Sequence, residues 1–297
     1  MSKLVQGIWP ALCTPFDDQL VFSPERVKPL VQYLIDAGSC GFFICGGTGE
    51  GRSMTVTERR QMCEVVTHDV AGQVPVIFHV GGTSTDDAVA LASQAGCLGA
   101  DAVASIAPVN QPNDLEAAVR HYSAIGSASE VPFYVYWLAN DVDRQVTPER
   151  FLEAMNSVPN FGGIKFTDPN FFVFQQLIDL SQDNLNAITG PDEMCVAGLV
   201  MGSDGAIGST YNIMPRMFLR MYNSFQSGNV REAMELQVRA NRVIALLISV
   251  GVLAGIKAIL TWRGIPVGPP RSPIPPLTTE GESRLRDGLD ALDFKVE

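Results

Sequence analysis

Short apolar runs alternate along this chain with amphipathic stretches, and each run ends in a loop rich in glycine or hydroxyl side chains. The runs at 7–14, 40–45, 74–80, 100–107, 132–136, 162–165, 186–189 and 205–207 read as strands buried on both faces, since they are nearly continuous in apolar residues rather than alternating. The stretches between them carry helical periodicity and start signals. Ser23-Pro-Glu-Arg offers a capping hydroxyl followed by proline at the first helical position, and Thr55-Val-Thr-Glu58 has the spacing of a capping box. Further helices are predicted from the 84 region to 97, over 113–125, from 147, and over 170–180, 192–201 and about 213–225.

Eight strand–helix units within about 225 residues predict an α/β protein of the closed (β/α)8 TIM barrel class more than an open doubly wound sheet. After residue 225 the strands stop. Helices are expected over 230–253, 256–262 and 280–292, with a proline-rich strap at 265–276 laid across the helices. The expected organisation is a barrel, residues 1–225, carrying the active site, and a C-terminal helical extension, residues 226–297, packed on it.

Composition narrows the class. The chain of 297 residues is 46% hydrophobic and 18% charged, as befits a protein with a large core. A net charge of -11 argues against a nucleic-acid or anionic-membrane partner, either of which needs clustered Lys and Arg. None of the six cysteines forms a C-x-x-C, and most lie in apolar segments, so reduced thiols and a cytoplasmic location are expected. No stretch has the 18 uninterrupted apolar residues of a membrane span. His68, His79 and His121 are scattered and lack carboxylates at ligand spacing, so no metal is expected.

The residue of greatest chemical interest is Lys165, at the end of the run Phe161-Gly-Gly-Ile164. A lysine that ends a buried strand loses hydration, which favours the neutral amine, and a neutral amine can form a Schiff base with a carbonyl. A lysine that merely closes its strand is the plainer alternative. Tyr136 ends the strand before it and could move a proton at a substrate hydroxyl; Tyr134, two residues back on the same face, competes for that role. Gly46-Gly-Thr-Gly-Glu-Gly51 offers backbone N–H groups and the Thr48 hydroxyl to a small carboxylate, or is simply a tight turn. Glu50 would brace that loop. Asp192 and Glu193 open a helix, where acidic residues serve the dipole, but two carboxylates there would also suit a polyol.

Together these residues resemble the dihydrodipicolinate synthase/N-acetylneuraminate lyase family, class I aldolases acting on pyruvate through a Schiff base on a (β/α)8 barrel. The carboxylate loop of that family matches Gly46-Gly-Thr-Gly-Glu50, its strand-end tyrosine matches Tyr136, and its Schiff-base lysine matches Lys165. Within the family the chain is most similar to the vertebrate-type N-acetylneuraminate lyases, through 49–61, 132–136, 199–212, 257–259, 264–271 and the Asp192-Glu193 pair.

The resemblance implies a reversible cleavage of N-acetylneuraminate to N-acetylmannosamine and pyruvate, with no cofactor beyond the covalent Schiff base on Lys165. Gly47 and Thr48 would hold the carboxylate, while Thr167, Gly190, Asp192, Glu193 and Ser209 would line the sugar side. It also implies a homotetramer. Three positions depart from the family pattern: Gly47 replaces a Ser or Thr, Leu138-Ala-Asn-Asp-Val-Asp143 replaces the usual loop beside the sugar, and Val109-Asn110 replaces a tyrosine of the synthases. The alternatives are therefore another Schiff-base aldolase or dehydratase of a 2-keto-3-deoxy sugar acid, a diverged dihydrodipicolinate synthase, or a barrel that binds a keto acid without catalysis.

Overall fold

The computed structural model describes residues 3–109, 114–138 and 146–294. Eight strands, β1 (Gly7–Pro10), β2 (Phe42–Ile44), β3 (Val76–His79), β4 (Ala102–Ser105), β5 (Phe133–Leu138), β6 (Phe161–Thr167), β7 (Asn186–Thr189) and β8 (Gly205–Gly208), form one sheet. Their order is β1-β8-β7-β6-β5-β4-β3-β2 and every ladder is parallel. The two ends meet: Ala11 bridges Phe43 in parallel sense, Leu12 N–H donates to Phe43 O at 2.9 Å and Cys40 N–H to Ile8 O at 3.0 Å. The sheet is thus a closed ring, which settles the choice between barrel and open sheet.

Seven helices, α1 (Val27–Asp36), α2 (Val56–Val70), α3 (Thr85–Ala95), α4 (Leu115–Ala128), α5 (Pro148–Met155), α6 (Phe171–Leu180) and α7 (Cys195–Val200), connect successive strands, and α8 (Pro215–Gln226) follows β8. The capping box at α2 forms: Glu58 N–H donates to the Thr55 hydroxyl at 3.2 Å and Thr55 N–H to the Glu58 carboxylate at 2.8 Å. Ser23 does not cap. Its hydroxyl donates to the Glu25 carboxylate instead, and a short 3-10 turn, Pro24–Arg26, precedes α1.

Beyond α8 run α9 (Val230–Val250), α10 (Val252–Trp262) and α11 (Thr279–Ala291). The break between α9 and α10 falls at Gly251, with φ 103°, not after residue 253 as the apolar run suggested. Only glycine takes such a backbone conformation at little cost, so the helix bends there by 110°. No single described helix is long and apolar enough to cross a membrane. The proline-rich strap reaches further than expected. It crosses the loops after β1 and β2 as well as helices: Phe16 N–H donates to Val267 O at 3.0 Å, Arg271 reaches Leu20 O, Ser53 O and Glu58 of α2, and Lys257 of α10 donates to Pro269 O at 3.3 Å.

Alternation along the strands fills the barrel. Trp9, Phe43, Ile77, Ala102, Ala104, Tyr134, Ile188 and Ile207 point inward and pack as one cluster, separate from the larger core between sheet and helices. Burying each of the larger side chains contributes about 1.5–3 kcal/mol. At the floor, Asn186 takes a hydrogen bond from the Tyr134 hydroxyl at 2.9 Å and from Val5 N–H at 2.8 Å, and donates to Val5 O and Asp204. Polar groups close that end, leaving chemistry to the other.

Candidate active site

β5 and β6 pair with Tyr136 directly opposite Lys165, one inward-facing layer above Tyr134. The choice between the two tyrosines follows. Tyr134 is committed to Asn186 at the floor, and burial pushes its phenol well above the usual range. Tyr136 stays partly exposed at the mouth. Lys165 is 5% exposed, and its Nζ lies 3.9 Å from the Tyr136 ring centroid and 4.4 Å from that of Phe43 on β2. Among the described residues no carboxylate lies within 4 Å of that nitrogen. The amine rests against ring faces instead, an arrangement worth roughly 0.5–2 kcal/mol to a cation and open to an incoming carbonyl.

His79, at the end of β3, completes this layer. Its ring meets Tyr136 edge-on at 5.8 Å and Phe43 at 5.7 Å, and its Nδ1 lies 3.2 Å from Cys45 O. Burial first, then the Arg59 guanidinium and Lys165, hold its pKa well below the usual imidazole range, so it is neutral. Phe43 and His79 are contacts the sequence did not disclose. Phe43 lies in a run buried on both faces, where periodicity cannot tell the inside of the barrel from its outside.

The glycine-rich turn after β2 brings Thr48 to the mouth, where its hydroxyl lies 2.7 Å from that of Ser209, just after β8. These two residues are 161 positions apart, and closure of the barrel joins them. Gly47 is exposed, and a Cβ placed on it would meet nothing within 4 Å. Below it the loop is locked. Glu50, left-handed at φ 53°, has its carboxylate 2.5 Å from Lys257 Nζ of α10, and its other oxygen accepts from Arg271 N–H at 2.6 Å. Glu50 therefore braces the loop, in keeping with the sequence reading.

On the opposite side, Thr167 and Gly190 meet: a Cβ on Gly190 would fall 1.8 Å from the Thr167 hydroxyl. That hydroxyl is buried, with no hydrogen-bond partner among the described residues. Such an unsatisfied group is what a ligand hydroxyl would complete. Asp192 is 8% exposed; its carboxylate accepts from both the N–H and the hydroxyl of Thr210, each at 2.7 Å. Burial raises its pKa to about 6; the Thr210 hydrogen bonds oppose that shift, neighbouring Glu193 adds to it and Lys165 opposes it. Glu193 is exposed, and its backbone carbonyl accepts from Asn241 of α9 at 3.0 Å. Gln237, also on α9, donates to Asp192 O and accepts from Val196 N–H, each at 3.0 Å. Thr210, Gln237 and Asn241 were not singled out from the sequence; their partners lie 18 to 48 residues away.

The barrel mouth thus gathers Lys165 with Tyr136, Thr48 with Ser209, and Thr167 with Gly190, while Asp192 is coupled to Lys165 electrostatically. Residues 139–143 and Asn110, which carry two of the departures from the family pattern, lie outside the described residues.

Known proteins share this fold. The chain is 36% identical over 266 residues to a Citrobacter koseri protein named N-acetylneuraminate lyase, covering 89% of each. Its fold superimposes on a Ruminococcus gnavus sialic acid aldolase with a TM-score of 0.92 at 30% identity, covering 97% of both chains. A Proteus mirabilis N-acetylneuraminate lyase gives a TM-score of 0.91 at 28% identity, covering 98% of this chain and 99% of that one. Residues 4–292 match the Dihydrodipicolinate synthetase family, to which this chain belongs.

Proposed function

We propose that this protein is a carbon–carbon lyase that cleaves N-acetylneuraminate to N-acetylmannosamine and pyruvate through a Schiff base on Lys165. The observation that carries this is the register of β5 and β6, which sets Lys165 Nζ 3.9 Å from the Tyr136 ring at the barrel mouth. Similarity to proteins named for this activity supports the substrate.

Lys165 Nζ attacks the C2 ketone of the open-chain sugar, and loss of water leaves an iminium. Tyr136, having passed its own proton to the departing water as the iminium forms, takes the proton of the C4 hydroxyl as the C3–C4 bond breaks; the electron pair of that bond moves into the iminium to give an enamine, and N-acetylmannosamine leaves as the aldehyde. Protonation at C3 and hydrolysis by water release pyruvate and restore the amine. Thr48, with the Gly47 backbone, holds the carboxylate. Ser209, which bonds Thr48, and Thr167, Gly190, Asp192 and Glu193 form the sugar side. No cofactor takes part.

Residues 226–297 serve this site as a helical appendage of the barrel; α9 braces Asp192 and Glu193 through Gln237 and Asn241. We also place the enzyme in the cytoplasm as a homotetramer, a reading that rests on the family. Large apolar side chains on outer helices, Phe172 at 70% and Ile248 at 65% exposure, support association. A second reading, cleavage or dehydration of a different 2-keto-3-deoxy sugar acid, draws on Gly47, which offers no side chain to the substrate.

Intact mass after treatment with pyruvate and sodium borohydride, with pyruvate release from N-acetylneuraminate measured alongside, tests these readings. An adduct on Lys165 with release is the expected result. An adduct without release transfers the chemistry to another sugar acid, and no adduct refutes the Schiff base.

A further inference from the structure

Outside the barrel, a cavity of about 500 Å³ opens where α1, α8, α9 and the end of α10 converge. Four arginines line it, Arg216, Arg220, Arg239 and Arg263, in a chain whose net charge is -11. Asp293 also lines it, and Arg220 is paired with Glu232. Arg263 donates to the Tyr33 hydroxyl. Arg216 and Arg239, both exposed, take part in none of the ion pairs among the described residues. A second feature converges on the same space. Helix α8 starts there, and its first turn has no side-chain cap: the N-cap position is Met214, with Pro215 next. Unpaired N–H groups and the positive end of a helix favour an anion, and guanidinium forks favour one with several acceptor oxygens.

We propose that this cavity is a binding site for a small phosphate monoester, distinct from the aldolase site and coupled to it. The volume suits a metabolite. The coupling follows from the chain itself. Ser209 and Thr210, which hold Thr48 and Asp192, are separated by only three residues from Met214 at the start of α8. Ile213 N–H and Met214 N–H both donate to Thr210 O at 3.0 Å, so the segment is one short, stiff connection from cavity to mouth. A dianion on the first turn of α8 stabilises that end of the connection and thereby the placement of Ser209 and Thr210. Its effect falls on substrate affinity, not on the chemical step.

The test is calorimetric titration of the full-length protein with glucose 6-phosphate and with inorganic phosphate, beside glucose and potassium chloride at matched ionic strength. Saturable binding of glucose 6-phosphate but not glucose is expected, weakened at least about tenfold in R216A/R239A, each lost charge-assisted contact contributing to that factor. Binding of inorganic phosphate alone to the same extent also supports the site and identifies phosphate as the recognised group. No saturable heat, or an equal response to potassium chloride, overturns it, as does binding unchanged in R216A/R239A. Coupling is read separately: saturating glucose 6-phosphate lowers KM for N-acetylneuraminate roughly fivefold, the low end of ordinary coupling, at constant kcat. Binding without that change overturns the coupling. The calorimetry does not depend on the substrate, so failure of the site and failure of the lyase reading are distinguishable.

Discussion

Replacing Lys257 by Met isolates the contribution of the buried pair beneath the carboxylate loop. The Lys257 and Glu50 side chains are each 1% exposed and 2.5 Å apart, so neither charge reaches water. Lys257 Nζ also lies 3.3 Å from Pro269 O and 4.4 Å from the Phe16 ring centroid, and burial lowers its pKa against the pull of Glu50. Methionine keeps the length of the stem and removes the charge, leaving a buried carboxylate with one remaining donor, Arg271 N–H. Stranding a charge in this way costs about 3–5 kcal/mol, and that donor places the loss near 3. At about 2–4 °C per kcal/mol for a chain of this size, Tm should fall by at least about 6 °C. Urea unfolding at fixed protein concentration gives the free energy directly. The cycle is closed with Glu50→Gln and the double variant, which should recover at least about 2 kcal/mol of the sum of the single losses because no charge is left unpaired. The exposed pair of Arg231 and Glu235, 91% and 66% accessible, is the control, and Arg231→Ala should cost about 0.5 kcal/mol or less. A loss below about 1 kcal/mol for K257M, or strict additivity in the cycle, would refute the account of the brace.

Tyr136→Phe should lower kcat by about 10²–10⁴ while the borohydride adduct on Lys165 still forms, measured by steady-state kinetics and intact mass. An unchanged kcat removes Tyr136 from the proton step. Asp192 ionises with a folded pKa of about 6 against an ordinary 3.8, so the folded state holds its proton more tightly than the unfolded chain. Its favourable contribution is complete below about pH 3.8 and is lost as pH rises to about 6, by about 3 kcal/mol at most, a slope that Asp192→Asn should abolish in urea titrations across that range. Gly47→Ser places a side chain in open space, so stability should stay within about 0.5 kcal/mol; if the missing hydroxyl limits turnover, kcat rises roughly 2–10-fold, and a fall in kcat contradicts the proposed orientation of the carboxylate.

Much of the fold was legible because each strand ends where its apolar run meets glycine or a hydroxyl, and Lys165 stands out as the charge that closes such a run. What stayed hidden depends on contacts distant in sequence. Tyr134 and Tyr136 share one face, and only Asn186, 52 residues on, shows which is committed to the floor. Asp192 and Glu193 look alike as helix-opening acids; Thr210 takes one inward while the other stays exposed. The apolar pattern sets the helix break two residues late because Val250 to Leu253 is apolar apart from Gly251 itself, whose backbone angle no pattern of side chains reports. The strap's hold on the carboxylate loop is hidden for a related reason. Arg271 reads as an ordinary charge among prolines until Glu50 and Glu58 are beside it.

That strap makes the site a late product of protein synthesis. The bond from Arg271 N–H to Glu50 spans 221 residues, so at ordinary elongation rates roughly ten to forty seconds separate the two ends of one contact on the ribosome. Through that interval the Glu50 carboxylate has neither Lys257 nor Arg271, and the turn that carries Thr48 has no brace. The nascent barrel can form its strands in order, yet the anion-holding turn sets only after the chain's last third arrives. Premature termination before residue 257 should therefore leave a protein with Lys165 and Tyr136 already translated but without a locked place for the carboxylate of their substrate.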